Sequence, residues 1–409
     1  MNRNNTIPTD AQVLKLEVDV IDTLPALQAL RQEWDRLYDA DPESSVFLSW
    51  AWLNEAFRDN PYRWSILVVR QVGQPSGIVA ALPLKYRVHW SQSQQEFQSE
   101  IEAGGRLLWS EYTGFLCRPQ FETLGLEALV TKLSKMPWTK FSLRYVHQMR
   151  RAKLFTDLCQ KAGFIVKYKH YLINKKQTDN LICPQIDLPE SYQAYQANQI
   201  SANKRQKYRS AKRKHFETGE CQITEATDKS FDADVTELLK LWQDKWTPSK
   251  GETQARSVAR NYYQVLDAAR KIGKLYMPVL RQNGKILGAL GHVVDEKSGV
   301  VHYIIAGRSV TSAAPFIGTA LHFHSIEWAI RNEFICYDFC HGNEPFKYDY
   351  GAQDSKVAYF EIKRTPCPPN LAFDSINTGE ALKRTQRFVI KGKHEDAAIA
   401  CGQLSKLLS

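Results

Sequence analysis

The chain repeats itself once at a fixed spacing, and this repeat constrains the fold more than any other feature of the sequence. Residues 68–82 (VVRQVGQPSGIVAAL) align without gaps with residues 279–293 (VLRQNGKILGALGHV), an offset of 211 residues from 68 to 279. In both copies, aliphatic and β-branched residues flank a turn that contains glycine, which is typical of a β-hairpin. A duplicated unit of this kind predicts that the two halves of the chain share one topology.

The predicted elements around the two hairpins follow the same order. We expect an amphipathic helix before each hairpin, at 48–57 and 258–271, because apolar residues recur there with helical spacing. A strand, a helix and a further strand follow each hairpin, at 107–115, 122–135 and 139–146 in the first copy and at 300–305, 315–332 and 334–340 in the second. This order predicts an α/β fold with two tandem domains, each a mixed, mostly antiparallel sheet flanked by helices.

The length of 409 residues also favours two domains, since one hydrophobic core rarely organises so long a chain. The first domain is predicted to span 12–177 and the second 184–365, because prolines and polar residues interrupt the periodicity between 177 and 191. Residues 366–409 are then expected to form a basic tail, either an appended helix or a partly disordered segment.

The composition predicts a folded cytoplasmic protein. No segment reaches the roughly 18 apolar residues of a membrane span, and the polar N-terminus lacks the order of a secretory signal. Eight cysteines without a CxxC pair indicate reduced thiols and neither a zinc site nor a disulfide framework. We expect no metal at His322 and His324, because residues two apart on a helix point to different faces.

The net charge of +10 is concentrated in two places. Seven of the eleven residues from 204 to 214 are Lys or Arg, and a looser basic group lies in the tail. Helical spacing places Arg205, Arg209 and either Lys212 or Arg213 along one stripe, which favours binding of a phosphate-bearing substrate or cofactor. The alternative is a solvated surface helix. No duplex nucleic acid is expected, since no recognition motif accompanies the charge.

Three stretches of the second half resemble the CelD-like acyltransferases, named for bacterial cellulose biosynthesis, and more distantly the Fem-type aminoacyltransferases of peptidoglycan. Both belong to the GNAT superfamily. The stretches are KRQKYRSAKRKHFETG at 204–219, AGRSVTSAAPFIGTALHFHSIEWAI at 306–330 and, most specific, YDFCHGNEPFKYDYGA at 337–352. The resemblance implies two tandem GNAT-like domains. It also implies acyl transfer from acyl-CoA, above all acetyl-CoA, to an amine or hydroxyl of a cell-surface glycan precursor or related metabolite.

The same resemblance locates the CoA phosphates between a strand and a helix of the second domain. Free N–H groups and the helix dipole favour anions at such a helix start. The strict phosphate loop of the superfamily, which carries two glycines or a glycine and an alanine, is absent here. The candidate donor-binding residues are Arg308, Pro315, Phe316, Ile317, Gly318 and Thr319.

The segment that follows the predicted strand 334–340 carries the candidate catalytic residues. By the resemblance, Lys347 stabilises negative charge at the acyl carbonyl or a donor phosphate, unless it only pairs with Glu344 or Asp349. Glu344 is the first choice for a general base and His341 the second, because an attacking ammonium must first lose a proton. The first domain has no comparable cluster and is expected to shape the acceptor cleft without chemistry.

Two other functions remain open. One is Fem-like aminoacyl transfer from charged tRNA, although the helical hairpin insertion of some relatives has no counterpart in this chain. The other is a catalytically inactive scaffold within a membrane-peripheral polysaccharide (exopolysaccharide) synthesis system, an alternative that the degraded phosphate loop favours.

Overall fold

A computed structural model describes residues 15–73, 77–310 and 316–408. The first half contains five helices, namely α1 (Leu24–Ala29), α2 (Arg31–Ala40), α3 (Trp50–Arg58), α4 (Glu122–Lys135) and α5 (Met149–Lys161). Its strands are β1 (Leu16–Ile21), β2 (Trp64–Gln71), β3 (Ile78–Ser91), β4 (Glu96–Ala103), β5 (Leu116–Cys117), β6 (Lys140–Val146) and β7 (Ile165–Tyr168), followed by a small hairpin of β8 (Leu172–Ile173) and β9 (Thr178–Asp179).

The second half repeats this order and adds two helices at its end. Strand β10 (Ile182–Asp187) ends the first half, and the strands of the second half are β11 (Cys221–Glu225), β12 (Leu275–Tyr276), β13 (Pro278–Gln282), β14 (Lys285–Asp295), β15 (Val300–Arg308), β16 (Cys336–Asp338), β17 (Gln353–Lys356) and β18 (Ala358–Lys363). Its helices are α6 (Tyr192–Gln199), α7 (Ala202–Ala211), α8 (Phe231–Lys250), α9 (Glu252–Lys271), α10 (Ile317–Arg331), α11 (Pro345–Tyr348), α12 (Thr378–Ile390) and α13 (His394–Leu408).

The strands form two eight-stranded sheets with the same layout. The first has the order β1-β2-β3-β4-β6-β18-β7, with β5 on β3, and the second β11-β13-β14-β15-β16-β10-β17, with β12 on β14. In each sheet one central pair is parallel, β4 with β6 and β15 with β16, while the neighbouring pairs are antiparallel. The predicted fold class, two mixed and mostly antiparallel sheets with flanking helices, is confirmed.

The two halves exchange their last strands. β10 leaves the first half and lies between β16 and β17 of the second sheet, while β18 leaves the second half and lies between β6 and β7 of the first. The division at 177 and 184 stays a prediction, but β18 lies beyond the predicted start of the second domain and belongs to the first sheet. Neither sheet is therefore built from one continuous segment.

The predicted repeat appears in both hairpins, and it includes a shift of strand register at the same aligned position. The register of β2 with β3 shifts between Val69 and Arg70, and that of β13 with β14 shifts between Leu280 and Arg281, the positions that align at the offset of 211. The second hairpin turns through Asn283 and Gly284, whose φ angles are 49° and 80°, as a two-residue turn requires. The tip of the first, residues 74–76, lies outside the described residues.

The aligned arginines also have equivalent partners. Arg70 pairs with Asp19 and with Glu33 on α2, and Arg281 pairs with Asp234 on α8. Each arginine thus ties its hairpin to the helix that precedes it in the chain. The duplication preserves this ion pair as well as the backbone path.

The strand expected at 107–115 is wrong. The strand that follows the first hairpin is β4, which ends at Ala103, and Gly104–Leu108 form a 3-10 turn. A side-chain carbon on Gly104 would lie 2.9 Å from the Cβ of Pro83, and one on Gly105 would lie 2.5 Å from the Oγ of Ser110. The chain turns where only glycine fits, and the apolar run after it is a buried loop.

The other predicted elements are found with shifted ends. The predicted helix 122–135 matches α4, and the strand 139–146 matches β6 within one residue. The helices expected at 48–57 and 258–271 correspond to α3 and to the last two thirds of α9, and 315–332 to α10. The strand 300–305 extends to Arg308, while 334–340 shortens to the three residues of β16.

The basic tail is helical along most of its described length. Helices α12 and α13 pack on the ends of β3 and β4, where Phe388 contacts the rings of Trp90 and Phe97. Gln403 of α13 binds both backbone groups of Phe97, at 2.6 and 2.9 Å. Among the described residues, no helix has both the length and the apolar character that a membrane crossing needs.

The largest hydrophobic core lies between the halves and holds them together. It includes Trp52 and Phe57 of the first half together with Leu238, Leu266 and Val293 of the second. At its margin the backbone N–H of Val46 donates to Asp295 at 2.7 Å. The Nζ of Lys297 donates to the backbone oxygen of Asp41 at 2.9 Å.

The strand exchange predicts that core mutations in β10 and β18 act on the opposite sheet. Phe360→Ala should cost about 3–5 kcal/mol of unfolding free energy, because Phe360 is fully buried among residues of the first half. Hydrogen–deuterium exchange should increase in β6 and β7. The reciprocal change Ile186→Ala should loosen β16 and β17 instead, since Ile186 is fully buried in the second core. Loosening confined to the second sheet in Phe360→Ala would contradict the exchange.

Candidate active site

The second sheet opens at its centre. β15 pairs with β16 only from Val300 to His302, but it continues to Arg308 with β14 on its other side. From Tyr303 onward, no strand of the described chain pairs with the edge of β15 that faces β16. The chain after β16 diverges here into the segment 339–347. The backbone donors and acceptors on this edge of β15 therefore have no strand partner among the described residues, and a bound extended chain could pair with them.

Within the described residues, the parallel pair of the first sheet ends differently. β4 pairs with β6 from Glu100 to Glu102 and ends one residue later, at Ala103. β4 therefore has no edge beyond the parallel pair, although β6 continues to Val146, which bridges to Thr113. The early turn at Gly104 causes this difference, and the placement of the chemistry in the second half stays a prediction.

Asp338, the last residue of β16, anchors the segment from below. Its Oδ1 accepts from the backbone N–H of Cys340 at 2.8 Å, and its Oδ2 accepts from Tyr112 at 2.5 Å and His302 at 3.0 Å. Burial alone would raise the pKa of Asp338, but the hydrogen bonds and charge of His302 and the bond from Tyr112 lower it. Because Tyr112 comes from the first half, this buried carboxylate joins the two halves at the site.

His302, Asp338 and Cys340 are also the described residues whose donor atoms could surround a metal ion, since those atoms lie within 4.8 Å of one another. The hydrogen bonds on Asp338 already account for the positions of the His302 ring and the Cys340 backbone. We therefore assign this cluster to structure.

Lys347 is buried and points back at its own segment. Its Nζ donates to the backbone oxygens of His341 and Gly342, both at 2.7 Å, and more weakly to that of Cys340 at 3.4 Å. The Glu344 carboxylate lies 3.0 Å away. An ammonium has three protons, and all of them have partners here. The predicted role at an acyl carbonyl would require one of these bonds to break and stays a prediction, whereas the contacts themselves hold the segment 340–344 in shape.

Glu344 is half-buried and begins α11. A side chain at Gly342, whose φ is 97°, would place its Cβ 2.6 Å from Glu344 Oε2, so this position needs glycine twice over. On the other side of the opening, the pKa of Lys245 on α8 is lowered by burial and by the charge of Arg308, and raised by Glu344. Arg308 and Glu344, both predicted site residues, thus lie in one electrostatic environment with Lys245, which the sequence did not reveal.

His341 is held by the first half. Its ring stacks on Tyr145 with 3.6 Å between centroids, and its Nε2 lies 2.5 Å from the backbone oxygen of Glu111. Because a carbonyl can only accept, Nε2 carries the proton and Nδ1 accepts from the Cys183 thiol at 3.2 Å. Burial lowers the pKa of His341 to about 3. Both nitrogens are occupied, so the predicted role of His341 as a base is not supported by its contacts, and it acts as a positioning residue.

Glu111 is the polar residue of this site that sequence reasoning missed. Its carboxylate lies 3.3 Å from His341 Nε2, and 18% of its side chain is accessible. Burial raises its pKa to about 7; Arg106 and Lys347 lower it, and Asp338 raises it. A carboxyl group whose pKa lies near 7 can both accept and release a proton at physiological pH. No motif marks Glu111, since it lies in a loop of the first half and reaches the site only through the fold.

The predicted donor-binding residues surround the start of α10. Phe316 is its N-cap and Ile317 is fully buried in the core, so Ile317 offers only its backbone. Nothing lies within 4 Å of where a Cβ on Gly318 would be. The hydroxyl of Thr319 bonds that of Tyr350, which limits the rise that burial causes in the pKa of Tyr350. Pro315 lies outside the described residues.

The basic stretch forms α7 and a π-helical turn, Lys212–Phe216. Tyr208 stacks on Phe323, and His215 on Phe316, so this stretch packs directly against α10. Exposed cations line an open groove of about 520 Å³ on its surface, where the groove walls are Ala202, Arg205, Gln206, Arg209, Lys212, Arg213 and Glu217.

The three predicted anion-binding arginines differ in their partners. Arg205 donates from Nη1 to the backbone oxygens of Gln196, Ala197 and Ile200, at 2.7 to 2.9 Å, and caps the end of α6. Arg209 and Arg213 form no ion pair with any described residue. Their charge is uncompensated, whereas Arg205 has a structural task that it can combine with a place in the groove wall.

Known proteins share parts of this arrangement. Residues 202–348 match the family model described as an acetyltransferase (GNAT) domain. The matched segment lies entirely in the second half of the chain. The crystal structure of FemX superposes with a TM-score of 0.57, at 12% identity over 81% of this chain and 95% of that chain.

Two further structures align at lower scores. They are a tandem GNAT protein from the clavulanic acid biosynthesis pathway (TM-score 0.48, 11% identity, 86% of this chain and 100% of that chain) and L-PGS from Bacillus licheniformis (0.46, 12%, 83% and 93%). At these identities the similarity concerns the fold. No curated protein matches the sequence significantly.

The contacts of Lys347 predict a loss of stability when its charge is removed. Lys347→Met should lower the unfolding free energy by about 2–4 kcal/mol, because buried carbonyl oxygens and the Glu344 carboxylate lose their partner. Urea unfolding measures this change, and Lys356→Met, at an exposed lysine nearby, is the matched control. Unchanged stability in Lys347→Met would contradict the structural role and favour the direct one.

Proposed function

We propose that this protein is an acyltransferase that moves an acyl group, above all acetyl, from acyl-CoA to an amine or hydroxyl of a small acceptor. The observation that carries the proposal is the free edge of β15 opposite the segment 339–347, within the part of the chain that matches the GNAT domain. The pantetheine arm of CoA contains two amides, and an extended chain with amides can pair with a strand edge. The thioester then lies near Cys340 and Glu344.

Cations and a helix start support binding of the CoA phosphates at the other end of this edge. Arg308 ends β15, and the first turn of α10 after Phe316 offers N–H groups that have no backbone partner among the described residues. The groove that contains Arg209 and Arg213 adjoins α10 through the stacking of His215 on Phe316. These groups compensate for the missing glycines of the strict phosphate loop.

We assign the general base to Glu111 ahead of Glu344. A base works best when its pKa lies near the working pH, and burial brings the pKa of Glu111 to about 7. Its carboxylate takes a proton from the attacking amine or hydroxyl, the nucleophile attacks the thioester carbonyl, and the C–S bond breaks to release CoA. The proton returns to the leaving sulfur. Lys347 and His341 hold the surrounding segment in place.

The acceptor is proposed to be a cell-surface glycan precursor or a related metabolite, which rests on the resemblance of three stretches to CelD-like enzymes. A second candidate is aminoacyl transfer from charged tRNA, which the seven cations between 204 and 214 favour. The binding experiment below distinguishes the two, because only the first requires CoA.

Acetyl-CoA should stabilise the protein. At a concentration of about 100 times the dissociation constant, a ligand that binds only the folded state adds about 2.7 kcal/mol. Arg209→Ala/Arg213→Ala should weaken this effect in a salt-dependent way, measured by thermal unfolding at two ionic strengths. Lys240→Ala/Arg256→Ala removes two exposed cations from α8 and α9 and is the control. If acetyl-CoA and longer acyl-CoAs all fail to shift the unfolding temperature, the proposal is wrong.

Glu111→Gln should lower kcat by about 100-fold or more and abolish the rise of the rate with pH around 7. The substitution should also change the free energy of unfolding, which is measured independently of turnover. Because the folded pKa of Glu111 is raised above the ordinary value of 4.5, its stabilising contribution is lost as the pH rises through about 7. Glu111→Gln should therefore be more stable than the parent at pH 8, by about 1–3 kcal/mol.

Glu127→Gln, at an exposed position of α4, is the control for both measurements. A parent-like pH profile in Glu111→Gln would exclude Glu111 as the base. If the gain in stability is seen all the same, the buried carboxylate is real and only the assignment of the base fails.

A further inference from the structure

Helix α12 in the C-terminal tail has an outer face that the fold leaves uncovered. Its inner face buries Ala381 and Thr385, and Phe388 packs against the rings of Trp90 and Phe97. The outer face carries Leu382, Val389 and Ile390, which are 50%, 52% and 76% exposed. Ile390 is the most exposed large apolar side chain of the described chain.

These three residues form one strip along the helix. At 100° per residue, Leu382, Val389 and Ile390 fall within an arc of about 100°. Exposed aliphatic side chains that cluster in this way mark a contact surface, whereas single ones are common on any protein. The strip belongs to neither half's core and lies away from the opening beside β15.

A basic flank borders the apolar strip. Continuing around the helix in the same direction, Lys383, Arg387 and Lys391 follow one another. Between residues 378 and 393 there are five Lys or Arg side chains and one acidic residue, Glu380. Apolar residues on one side and cations beside them are typical of helices that lie in the interface of an anionic membrane.

The basic flank leads into a cleft between α12 and the first sheet. The cleft has a volume of about 270 Å³, and Arg63, Lys85, Arg87 and Arg384 contribute to its walls. Lys85 and Arg87 share Glu102, at 2.9 and 3.7 Å. Arg63 and Arg384 form no ion pair with any described residue. Burial and the charges of Arg87 and Arg387 lower the pKa of Arg384, while Glu380 and Glu100 raise it. Glu102 and Glu380 also line the cleft, so four cations face two carboxylates there.

We propose that α12 and this cleft form a docking surface for an anionic lipid membrane. Leu382, Val389 and Ile390 enter the boundary between headgroups and acyl chains, the basic flank lies among the headgroups, and the cleft receives one lipid phosphate. A soluble polyanion would use the cations but not the aliphatic strip, and an apolar protein partner would use the strip but not the cations. An anionic lipid surface offers a partner to both. This inference does not depend on the proposed acyl transfer.

Sedimentation of the full chain with phospholipid vesicles tests the proposal. Binding should occur with vesicles that contain phosphatidylglycerol, be at least about tenfold weaker with pure phosphatidylcholine, and fall as the salt concentration rises. Equal binding to both vesicles, or no binding to either, would overturn the proposal.

Two matched pairs of variants locate the surface. Val389→Gln/Ile390→Gln and Lys383→Gln/Arg387→Gln should each weaken binding to phosphatidylglycerol vesicles by about tenfold or more. Leu124→Gln/Ile335→Gln removes two exposed aliphatic residues elsewhere, and Lys240→Gln/Arg256→Gln removes two exposed cations elsewhere; both should bind like the parent. If the controls lose binding as much as the tail variants, attraction is nonspecific and the surface is wrongly placed.

The cleft has its own test. Arg63→Ala/Arg384→Ala should weaken vesicle binding, while inorganic phosphate at constant ionic strength should leave the unfolding temperature of the parent unchanged. Stabilisation by inorganic phosphate without vesicle binding would assign the cleft to a soluble phosphate and overturn the lipid proposal. Dimerisation that Val389→Gln/Ile390→Gln abolishes, again without vesicle binding, would assign the strip to a second copy of the chain and also overturn it.

Discussion

Backbone hydrogen bonding across the two sheets determines the rest of this structure. Strands β6 and β7 do not pair with each other, and neither do β16 and β17, so each sheet has a slot that one more strand must fill. The strand that fills it comes from the other half in both cases. Buried N–H and C=O groups without partners cost free energy comparable to lost hydrogen bonds, so neither half completes its sheet alone.

The exchange explains why the candidate site draws on both halves. β10 lies directly beside β16, and it places Cys183 against His341. A loop of the first half covers the same segment. From this loop Tyr112 contacts Asp338, and Glu111 contacts His341. The first half thus supplies a buried acidic group, Glu111, to the opening in the second.

The sequence predicted the parts of this fold that local pattern determines. The aligned hairpins predicted that both sheets share one topology, and the spacing of apolar residues located α4 and β6 within one residue of their observed ends. The destination of β10 and β18 has no local signal, since ICPQID and AYFEIK indicate strands without indicating a sheet. The turn at Gly104 was missed because the apolar residues after it resemble a strand and are in fact a buried loop.

In the candidate site too, sequence pattern located the residues that cluster locally but not the contacts that the fold creates. Residues 341–347 were found because they cluster in sequence, but their roles depend on contacts that the cluster does not contain. Lys347 donates its hydrogen bonds inward, to backbone oxygens. The contacts with Glu111 and Cys183 determine which ring nitrogen of His341 carries the proton. Glu111 belongs to no sequence motif, so it can be recognised as a site residue only when the arrangement of both halves is known.

The reciprocal strands also have a consequence for synthesis on the ribosome. β7 is complete at Tyr168, but its partner β18 begins at Ala358, about 190 residues later. At roughly 5–20 residues per second, the nascent first half waits about 10–40 s with its sheet open. During that interval it presents two unpaired strand edges to other chains, so a chaperone or rapid dilution from neighbouring ribosomes would protect it.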